Sequence, residues 1–336
     1  MFGIEQLENS AADRRVEIPY PLQALAMLLL AFHNPIGRLA ANYPWVRVAS
    51  PRIASAGARS LSSLVPPRHV GASMQVRCKP RLITLDSTGT LMRIKKPVGE
   101  LYASAILSAA PSLADRLPSS GQLAQAFYAA YKSQDTAVGC FGAGAPGGCR
   151  QWWSKVVHQT LVNAGIAECD LSGHVFEHVF EVLYDDVFSG EKAWELLPTT
   201  SAALQELRQW CDVNGCVLGV MSNMDERLVS LVGKLGIESF FDFVLTSYGC
   251  GAEKPSADIF VAARKLAGIA HDAPALHCGD SYKRDVVGAL NSGFVAALVD
   301  PNATGLYPLD EKFNMPETRA YGLPHIGYVA ELLAAS

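Results

Sequence analysis

Residues Arg81-Leu82-Ile83-Thr84-Leu85-Asp86-Ser87-Thr88-Gly89-Thr90 carry the pattern that decides the fold. They place an aspartate directly after a short apolar run, as expected of a buried strand whose carboxyl end carries a polar side chain. Three later segments complete the pattern: Val220-Met221-Ser222-Asn223, Lys254-Pro255 and Cys278-Gly279-Asp280-Ser281-Tyr282-Lys283-Arg284-Asp285. Because ligands of open α/β sheets bind beyond the carboxyl ends of the strands, the four segments predict one shared site.

The rest of the body alternates between short apolar runs and amphipathic segments. Strands are predicted over residues 82–85, 217–221, 243–246, 275–277 and 295–299, and helices over 201–210, 225–235, 257–267 and 284–292. Such alternation is typical of a parallel sheet covered by helices on both faces. We therefore predict an α/β, Rossmann-like core formed by residues 79–95 and 199–336.

Residues 96–198 interrupt this alternation, because they carry only helical patterns, over 99–110, 122–131, 151–164 and 175–188. A crossover of this length is too long for a simple strand–helix–strand link, so the segment is predicted to be a helical cap inserted over the polar end of the sheet. Substrate choice is expected there, and the candidates are Tyr131, Lys132, Gln134, Arg150 and Trp153. Packing of aromatic side chains inside the helical core explains those residues equally well.

The charge of the chain limits the partners that it can bind. The 336 residues contain 28 Lys and Arg against 32 Asp and Glu, a net charge of −4. Residues 1–78 contain eight Arg, no Lys and four acids, so the remainder has 20 bases and 28 acids. An acidic body disfavours nucleic acid, and any phosphate that it handles must belong to a small molecule held by a local site. No pattern indicates the oligomeric state.

Residues 1–78 are predicted to be a disordered N-terminal extension. Residues 18–85 contain no acid, and their Arg and Ser content is typical of an organelle transit peptide. Glu5, Glu8, Asp13 and Glu17 disagree with that interpretation, and the alternative is an extended start before Met27 or Met74. The apolar run at 22–32 is too short for a membrane span, which needs roughly 20 residues. We expect an intracellular, soluble protein of the chloroplast or mitochondrion, or otherwise of the cytoplasm.

The four polar segments resemble the four motifs of the haloacid dehalogenase (HAD) superfamily, and the inserted helices resemble the cap of its subfamily I. The resemblance covers about residues 79–330. Within the superfamily, the chain is most similar to the haloacid dehalogenase-like hydrolase domain-containing protein 3 group. That closer similarity is carried by Phe127-Tyr128-Ala129-Ala130-Tyr131, Arg150-Gln151-Trp152-Trp153, Ser222-Asn223-Met224-Asp225-Glu226-Arg227-Leu228 and Phe241-Asp242-Phe243-Val244-Leu245-Thr246-Ser247.

The motif residues suit phosphoryl transfer. A carboxylate attacks phosphorus when it is held in line and its charge is offset by a metal and a cation, so Asp86 is the predicted nucleophile and an aspartyl-phosphate the intermediate. Magnesium prefers hard oxygen ligands, which Asp86 and Asp280 supply. The resemblance implies that the backbone carbonyl of Thr88 is a third ligand.

The remaining site residues have supporting roles in this prediction. Asp285 is expected to hold the outer shell of the metal. Ser222, Asn223 and Lys254 are expected to bind the phosphoryl group, and the resemblance implies that Lys254 also offsets the charge between Asp86 and Asp280. The resulting prediction is a Mg²⁺-dependent phosphatase acting on a small phosphorylated metabolite.

Thr88 departs from the phosphatase pattern, in which a second Asp stands two residues after the nucleophile. That acid protonates the leaving group and then activates water, help that is typically worth about 10²–10⁴-fold in rate. A threonine hydroxyl cannot replace it, so slow hydrolysis of esters with poor leaving groups is expected. Two alternatives remain: a phosphate- or protein-binding relative without turnover, and a dehalogenase-type hydrolase, against which Asp280 and Asp285 count.

Overall fold

The computed structural model describes residues 47–48, 79–172, 174–309 and 319–334. Ten strands are found in these ranges. They are β1 (Arg47–Val48), β2 (Leu82–Leu85), β3 (Met92–Ile94), β4 (Trp194–Leu196), β5 (Val217–Ser222), β6 (Phe243–Thr246), β7 (Ala275–Gly279), β8 (Val295–Val299), β9 (Tyr307–Pro308) and β10 (Ala320–Leu323).

Eight of the strands form one sheet in the order β1-β6-β5-β2-β7-β8-β10-β9. All neighbours from β6 to β10 are parallel, and only the edge strands β1 and β9 run antiparallel. The central strand β2 pairs with β5 on one side and β7 on the other, with Leu85 level with Val220 and Cys278. The order of the strands therefore reverses at β2, and a ligand site is expected beyond its carboxyl end.

Helices cover both faces of the sheet. Numbered after four helices of the inserted helical segment, they are α5 (Thr200–Asn214), α6 (Arg227–Lys234), α7 (Ser247–Cys250), α8 (Ala257–Ala267), α9 (Gly288–Asn291) and α10 (Tyr328–Ala334). Along β6, Val244 packs into the core on one face, whereas Phe243 and Leu245 pack into the core on the other. Burial on both faces is why the parallel strands read as continuous apolar runs.

The helical segment lies between β3 and β4, which pair with each other as a separate two-stranded sheet. It contains α1 (Val98–Ala109), α2 (Ser120–Ala137), α3 (Gly148–Asn163) and α4 (His174–Glu181), the last followed by a wide helical turn at Val182–Val187. Ser119 begins α2 with a capping box, in which its hydroxyl accepts from the Gln122 amide while the Gln122 side chain accepts from the Ser119 N–H. The apolar core of this segment is continuous with the core on one face of the main sheet.

The predicted α/β, Rossmann-like parallel sheet is confirmed. The strands at 82–85, 243–246 and 295–299 and the helix at 257–267 have the predicted bounds. The prediction that residues 1–78 lie outside the fold needs correction, because Arg47–Val48 pair with Val244 and Phe243. Such pairing uses main-chain groups, so the pattern of side chains in the sequence does not predict it. The transit-peptide prediction otherwise falls on residues outside the described ranges.

Candidate active site

The carboxyl end of β2 positions Asp86 among the ends of its two neighbours. The Asp86 N–H donates to the Cys278 carbonyl at 2.8 Å, which continues the pairing with β7 beyond Leu85. On the other side, Ser87 Oγ lies 2.7 Å from Ser222 Oγ at the end of β5. Asp86 is buried, with 7% of its surface exposed. The predicted nucleophile and the predicted phosphoryl-binding serine are thus held side by side.

Lys254 reaches this site from the loop between α7 and α8. Its fully buried ammonium lies 2.6 Å from Asp285 Oδ1 and 2.9 Å from Asp86 Oδ1. Burial lowers the pKa of Lys254, but the two carboxylates outweigh burial and hold it above its ordinary value. The Asn223 amide fixes the loop, since it donates to the Lys254 carbonyl at 2.9 Å and accepts from the Lys254 N–H at 2.8 Å.

Asp285 is held by a chain of buried hydrogen bonds that reaches into the sheet. His277 Nε2 lies 3.0 Å from Asp285 Oδ1, and His277 Nδ1 lies 2.8 Å from Thr84 Oγ1. Burial lowers the pKa of His277, so the ring is neutral. Because an ionised carboxylate only accepts, Nε2 must carry the proton and Nδ1 must accept from Thr84. Burial raises the pKa of Asp285, but Lys254 and His277 hold it well below its usual range.

Asp280 completes the acidic cluster. One oxygen from each of Asp86, Asp280 and Asp285 lies within 4.8 Å of the others. Burial, and then the charges of Asp86 and Asp285, raise the pKa of Asp280 to about 6. Two glycines make the close approach feasible, because a Cβ atom at Gly89 would overlap the Asp280 carboxylate and one at Gly279 would overlap Asp285.

The cluster fits a divalent cation. Within the described residues, Asp86 Oδ1 is a buried oxygen that accepts no well-directed hydrogen bond, although Lys254 Nζ is close to it. Like charges at this distance disfavour ionisation unless a cation offsets them. Hard carboxylate oxygens in such an arrangement are the ligands that Mg²⁺ takes. Asp285 already accepts from Lys254, His277 and the Ser281 N–H, which agrees with an outer-shell position.

Two predicted site residues have contacts that sequence analysis did not anticipate. Lys254 was expected to offset the charge between Asp86 and Asp280, and its ammonium pairs with Asp86 and with Asp285, which lies on the wide helical turn at Tyr282–Val287. Thr88 has an exposed side chain whose Oγ1 lies 3.7 Å from Met224 Sδ.

His277 and Met224 were missed by sequence analysis. A histidine inside an otherwise apolar strand was the available signal for His277, and its register with Thr84 would have suggested the contact. Met224 carries no such signal, because it is an ordinary apolar residue that becomes informative only through its position beside Ser87 and Thr88.

Two cavities adjoin at this end of the sheet. A polar cavity of about 360 Å³ includes Asn223, Lys254 and Ser281, and a second one of about 220 Å³ lies beneath the helical segment. Nine of the sixteen residues lining the second cavity are aromatic. Tyr131 and Phe141 line both cavities, so the two cavities share an aromatic wall.

A second buried ion pair lies in the wall of the aromatic cavity. Arg227 donates from Nη2 to Asp225 Oδ2 at 2.6 Å and from Nε to Asp225 Oδ1 at 2.9 Å. The Trp153 indole N–H donates to the same Asp225 Oδ2 at 2.8 Å. Burial raises the pKa of Asp225, but Arg227 and Trp153 hold it below its ordinary value. The guanidinium also lies 4.2 Å from the centre of the Tyr184 ring.

Fold and site together define an α/β protein of the Rossmann-like class whose acidic site lies where the strand order reverses. A family model described as haloacid dehalogenase-like hydrolase matches residues 80–293. The chain therefore belongs to the haloacid dehalogenase-like hydrolase family, and the predicted resemblance is confirmed. Within the described residues, no helix is both long and apolar enough to cross a membrane.

Individual relatives agree with this assignment. The chain is 34% identical to haloacid dehalogenase-like hydrolase domain-containing protein 3 of Bos taurus, over 77% of this chain and 96% of that protein. It is 36% identical to the Homo sapiens protein of the same name, over 67% of this chain and 84% of that protein. Among solved structures, the 2-haloacid dehalogenase from Pseudomonas syringae superposes with a TM-score of 0.52 at 21% identity, covering 76% of this chain and 98% of that one, which bears on the fold alone.

Proposed function

We propose that this protein is a Mg²⁺-dependent phosphatase acting on a small phosphorylated metabolite. The observation that carries the proposal is the excess of negative charge at the end of β2, where three carboxylates cluster and Lys254 pairs with two of them, Asp86 and Asp285. An excess of this kind is relieved when a cation binds to it or when one of the carboxylates takes up a proton. Asp86, Asp280 and the carbonyl of Thr88 would hold Mg²⁺, with Asp285 outside them. Bound Mg²⁺ would offset the charge of the phosphoryl oxygens.

The side chains of the site have distinct roles in this reaction. An Asp86 oxygen forms a bond to phosphorus while the leaving-group oxygen departs with the electron pair of the broken P–O bond and takes a proton from water. Lys254 and Ser222 bind phosphoryl oxygens, and Asn223 holds the Lys254 loop in place and lines the polar cavity. Water then attacks the aspartyl-phosphate, which releases phosphate and restores the Asp86 carboxylate.

The helical segment has a separate role in the proposal. We assign residues 96–198 as a cap and residues 79–95 and 199–336 as the core that carries the chemistry. Contacts between Trp153 of the segment and Asp225 and Arg227 of the core support this division of roles. A cap that closes over the polar cavity would exclude water from the reacting phosphate.

The first test is turnover of 4-nitrophenyl phosphate by the full chain with and without Mg²⁺, beside Asp86→Asn. We expect metal-dependent hydrolysis that falls at least about 10³-fold in the variant, because the variant has no nucleophile. Activity that survives in Asp86→Asn would exclude the aspartyl-phosphate. Hydrolysis of a 2-haloacid without metal, and none of the phosphate ester, would favour the dehalogenase-type alternative.

Thr88 distinguishes an enzyme with weakened turnover from a binding protein. Thr88→Asp restores a general acid, and we expect it to raise kcat on an alkyl phosphate by about 10²-fold or more if the rest of the site is competent. Thr88→Asn is the matched control, since its side chain has nearly the shape of Asp but no ionisable acid group. Equal kcat values in the two variants, with Mg²⁺ bound, would favour the non-catalytic relative.

A further inference from the structure

We infer that the substrate is a phosphate ester of an uncharged aromatic alcohol, whose ring occupies the aromatic cavity while its phosphate lies beside Asp86. This inference rests on the proposed function and names the substrate class for the same site. Three independent features of the site support it: the lining of the cavity, its position relative to Asp86, and the absence of an acid at Thr88.

The lining of the cavity selects a flat, uncharged group. Ring faces such as those of Tyr102, Phe127 and Phe188 attract other rings in offset or edge-on arrangements. The only charged residues of the lining are Asp225 and Arg227, and these neutralise each other. A charged ligand group would therefore lose its hydration without gaining a partner, which is unfavourable.

The size of the cavity limits the ligand to about two rings. An apolar cavity of about 150 Å³ accommodates benzene. The cavity beneath the helical segment is larger, at about 220 Å³. A bicyclic ring system is therefore near the upper limit of what enters without movement of the helices.

The position of the cavity matches the direction in which the leaving group departs. In an in-line displacement the leaving oxygen lies opposite the attacking oxygen of Asp86. Thr88 stands where phosphatases carry the acid that protonates the leaving group, so the leaving oxygen is expected on the Thr88 side of the phosphate. The Thr88 hydroxyl lies 3.7 Å from Met224 Sδ. Met224 itself lines the aromatic cavity. A ring bonded to the departing oxygen would thus pass Met224 and enter the cavity.

The loop that carries Phe141 has a strained backbone at the boundary between the aromatic cavity and the polar cavity. Cys140 and Phe141 adopt left-handed backbone conformations, with φ of 49° and 54°, which are unfavourable for residues other than glycine. Strain of this kind persists where the surrounding contacts enforce it, and it is common at ligand clamps. Here the Phe141 ring stacks on Trp153 with 6.0 Å between centroids and lines both cavities.

The chemistry at Thr88 points to the same class of ester. An alkoxide departs poorly without a proton, whereas a phenol, with a pKa of about 10 like that of tyrosine, departs as a stable anion. A site without a general acid is therefore suited to aryl esters. The aromatic cavity and the threonine thus favour the same leaving group for unrelated reasons.

The test compares two aryl phosphates that share a phenolic leaving group. We expect kcat/KM for 2-naphthyl phosphate to exceed that for O-phosphotyrosine by about 100-fold or more, because the cavity cannot solvate the ammonium and carboxylate of the amino acid. Val157→Phe, which fills the cavity from α3, should lower this ratio at least about 10-fold. Val162→Phe, on the same helix and outside the cavity, is the matched control and should leave the ratio unchanged.

Each outcome has a definite meaning. Equal kcat/KM values for the two esters would overturn the inference and leave the proposed phosphatase intact. If neither ester is hydrolysed, the proposed function fails, and calorimetric binding of 2-naphthol then decides on the cavity. Binding that is lost in Val157→Phe would support an aromatic-ligand site, and no binding to the parent chain would overturn it. Val98→Phe, which lines the same cavity from α1, replaces Val157→Phe if thermal unfolding shows that the latter does not fold.

Discussion

The charge cluster around Lys254 and the charge cluster around Arg227 are built differently. Around Lys254, the ammonium pairs with Asp86 and Asp285, and the third carboxylate, Asp280, has a raised pKa. Within the described residues, Asp86 Oδ1 accepts no well-directed hydrogen bond. Around Arg227, the guanidinium pairs with the Asp225 carboxylate, and both oxygens of Asp225 accept hydrogen bonds.

This difference separates ligand binding from structural support. A neutral, fully bonded ion pair gains nothing from an added ion, and it serves to join Trp153 of the helical segment to the core. A cluster with excess charge keeps part of its interaction energy available for a cation or a substrate. Charge balance therefore distinguishes the two more clearly than burial, which is nearly complete for Asp225 and Lys254 alike.

The largest effect is predicted when the ion pair between Asp225 and Arg227 is broken. Asp225→Asn leaves Arg227 buried without its counter-charge, and we expect the free energy of unfolding to fall by about 3–5 kcal/mol. Asp280→Asn removes a repelling charge from the other cluster, and we expect metal-free stability to be unchanged or higher. Urea denaturation of both variants without Mg²⁺ checks this contrast. A comparable loss in Asp280→Asn would show that the acidic cluster is not under repulsion.

A smaller effect is expected when the support of the acidic cluster is removed. His277→Phe deletes the hydrogen bond to Asp285, and outer-shell changes of this kind typically lower activity or metal affinity about 10- to 100-fold. His277→Gln retains a donor and should recover part of the loss. Measurement of kcat and the apparent Mg²⁺ affinity checks this, because a purely structural role would lower stability without changing metal affinity.

The smallest effect is a pH-dependent shift in thermal stability. The pKa of Asp280 is about 6 in the folded chain and near its ordinary 3.8 when unfolded, so the folded state binds the extra proton between these values. Its ionisation therefore opposes folding, and the opposition is complete above about pH 6. We expect Mg²⁺ to raise Tm by a few degrees at pH 7.5, and less at pH 5, where Asp280 is protonated.

Asp280→Asn should remove most of this pH dependence, and Asp115→Asn, at an exposed position of the helical segment, should not. An increase in Tm that is equal at both pH values would mean that Asp280 does not contact the metal. Scanning calorimetry at the two pH values, with and without Mg²⁺, is the measurement.

Sequence reasoning located the strand ends because they are local. Asp86, Ser222 and Asp280 each follow an apolar run, and parallel pairing then places them together without further information. The contact of His277 with Asp285 and the closeness of Met224 to Thr88 depend on side-chain directions across different strands and loops. The charge balance of Asp225 could not be predicted either, because the nearness of Arg227 in the sequence does not show whether both carboxylate oxygens of Asp225 accept hydrogen bonds.

The antiparallel pairing of Arg47–Val48 with β6 has a consequence for shortened forms of the chain. Without these two residues, the outer main-chain groups of Phe243 and Val244 would face solvent as an open template for another chain, a recognised cause of aggregation. A chain shortened to a point before Arg47 would keep this pairing. A chain that begins at Lys79 would keep the acidic cluster and lose this protection.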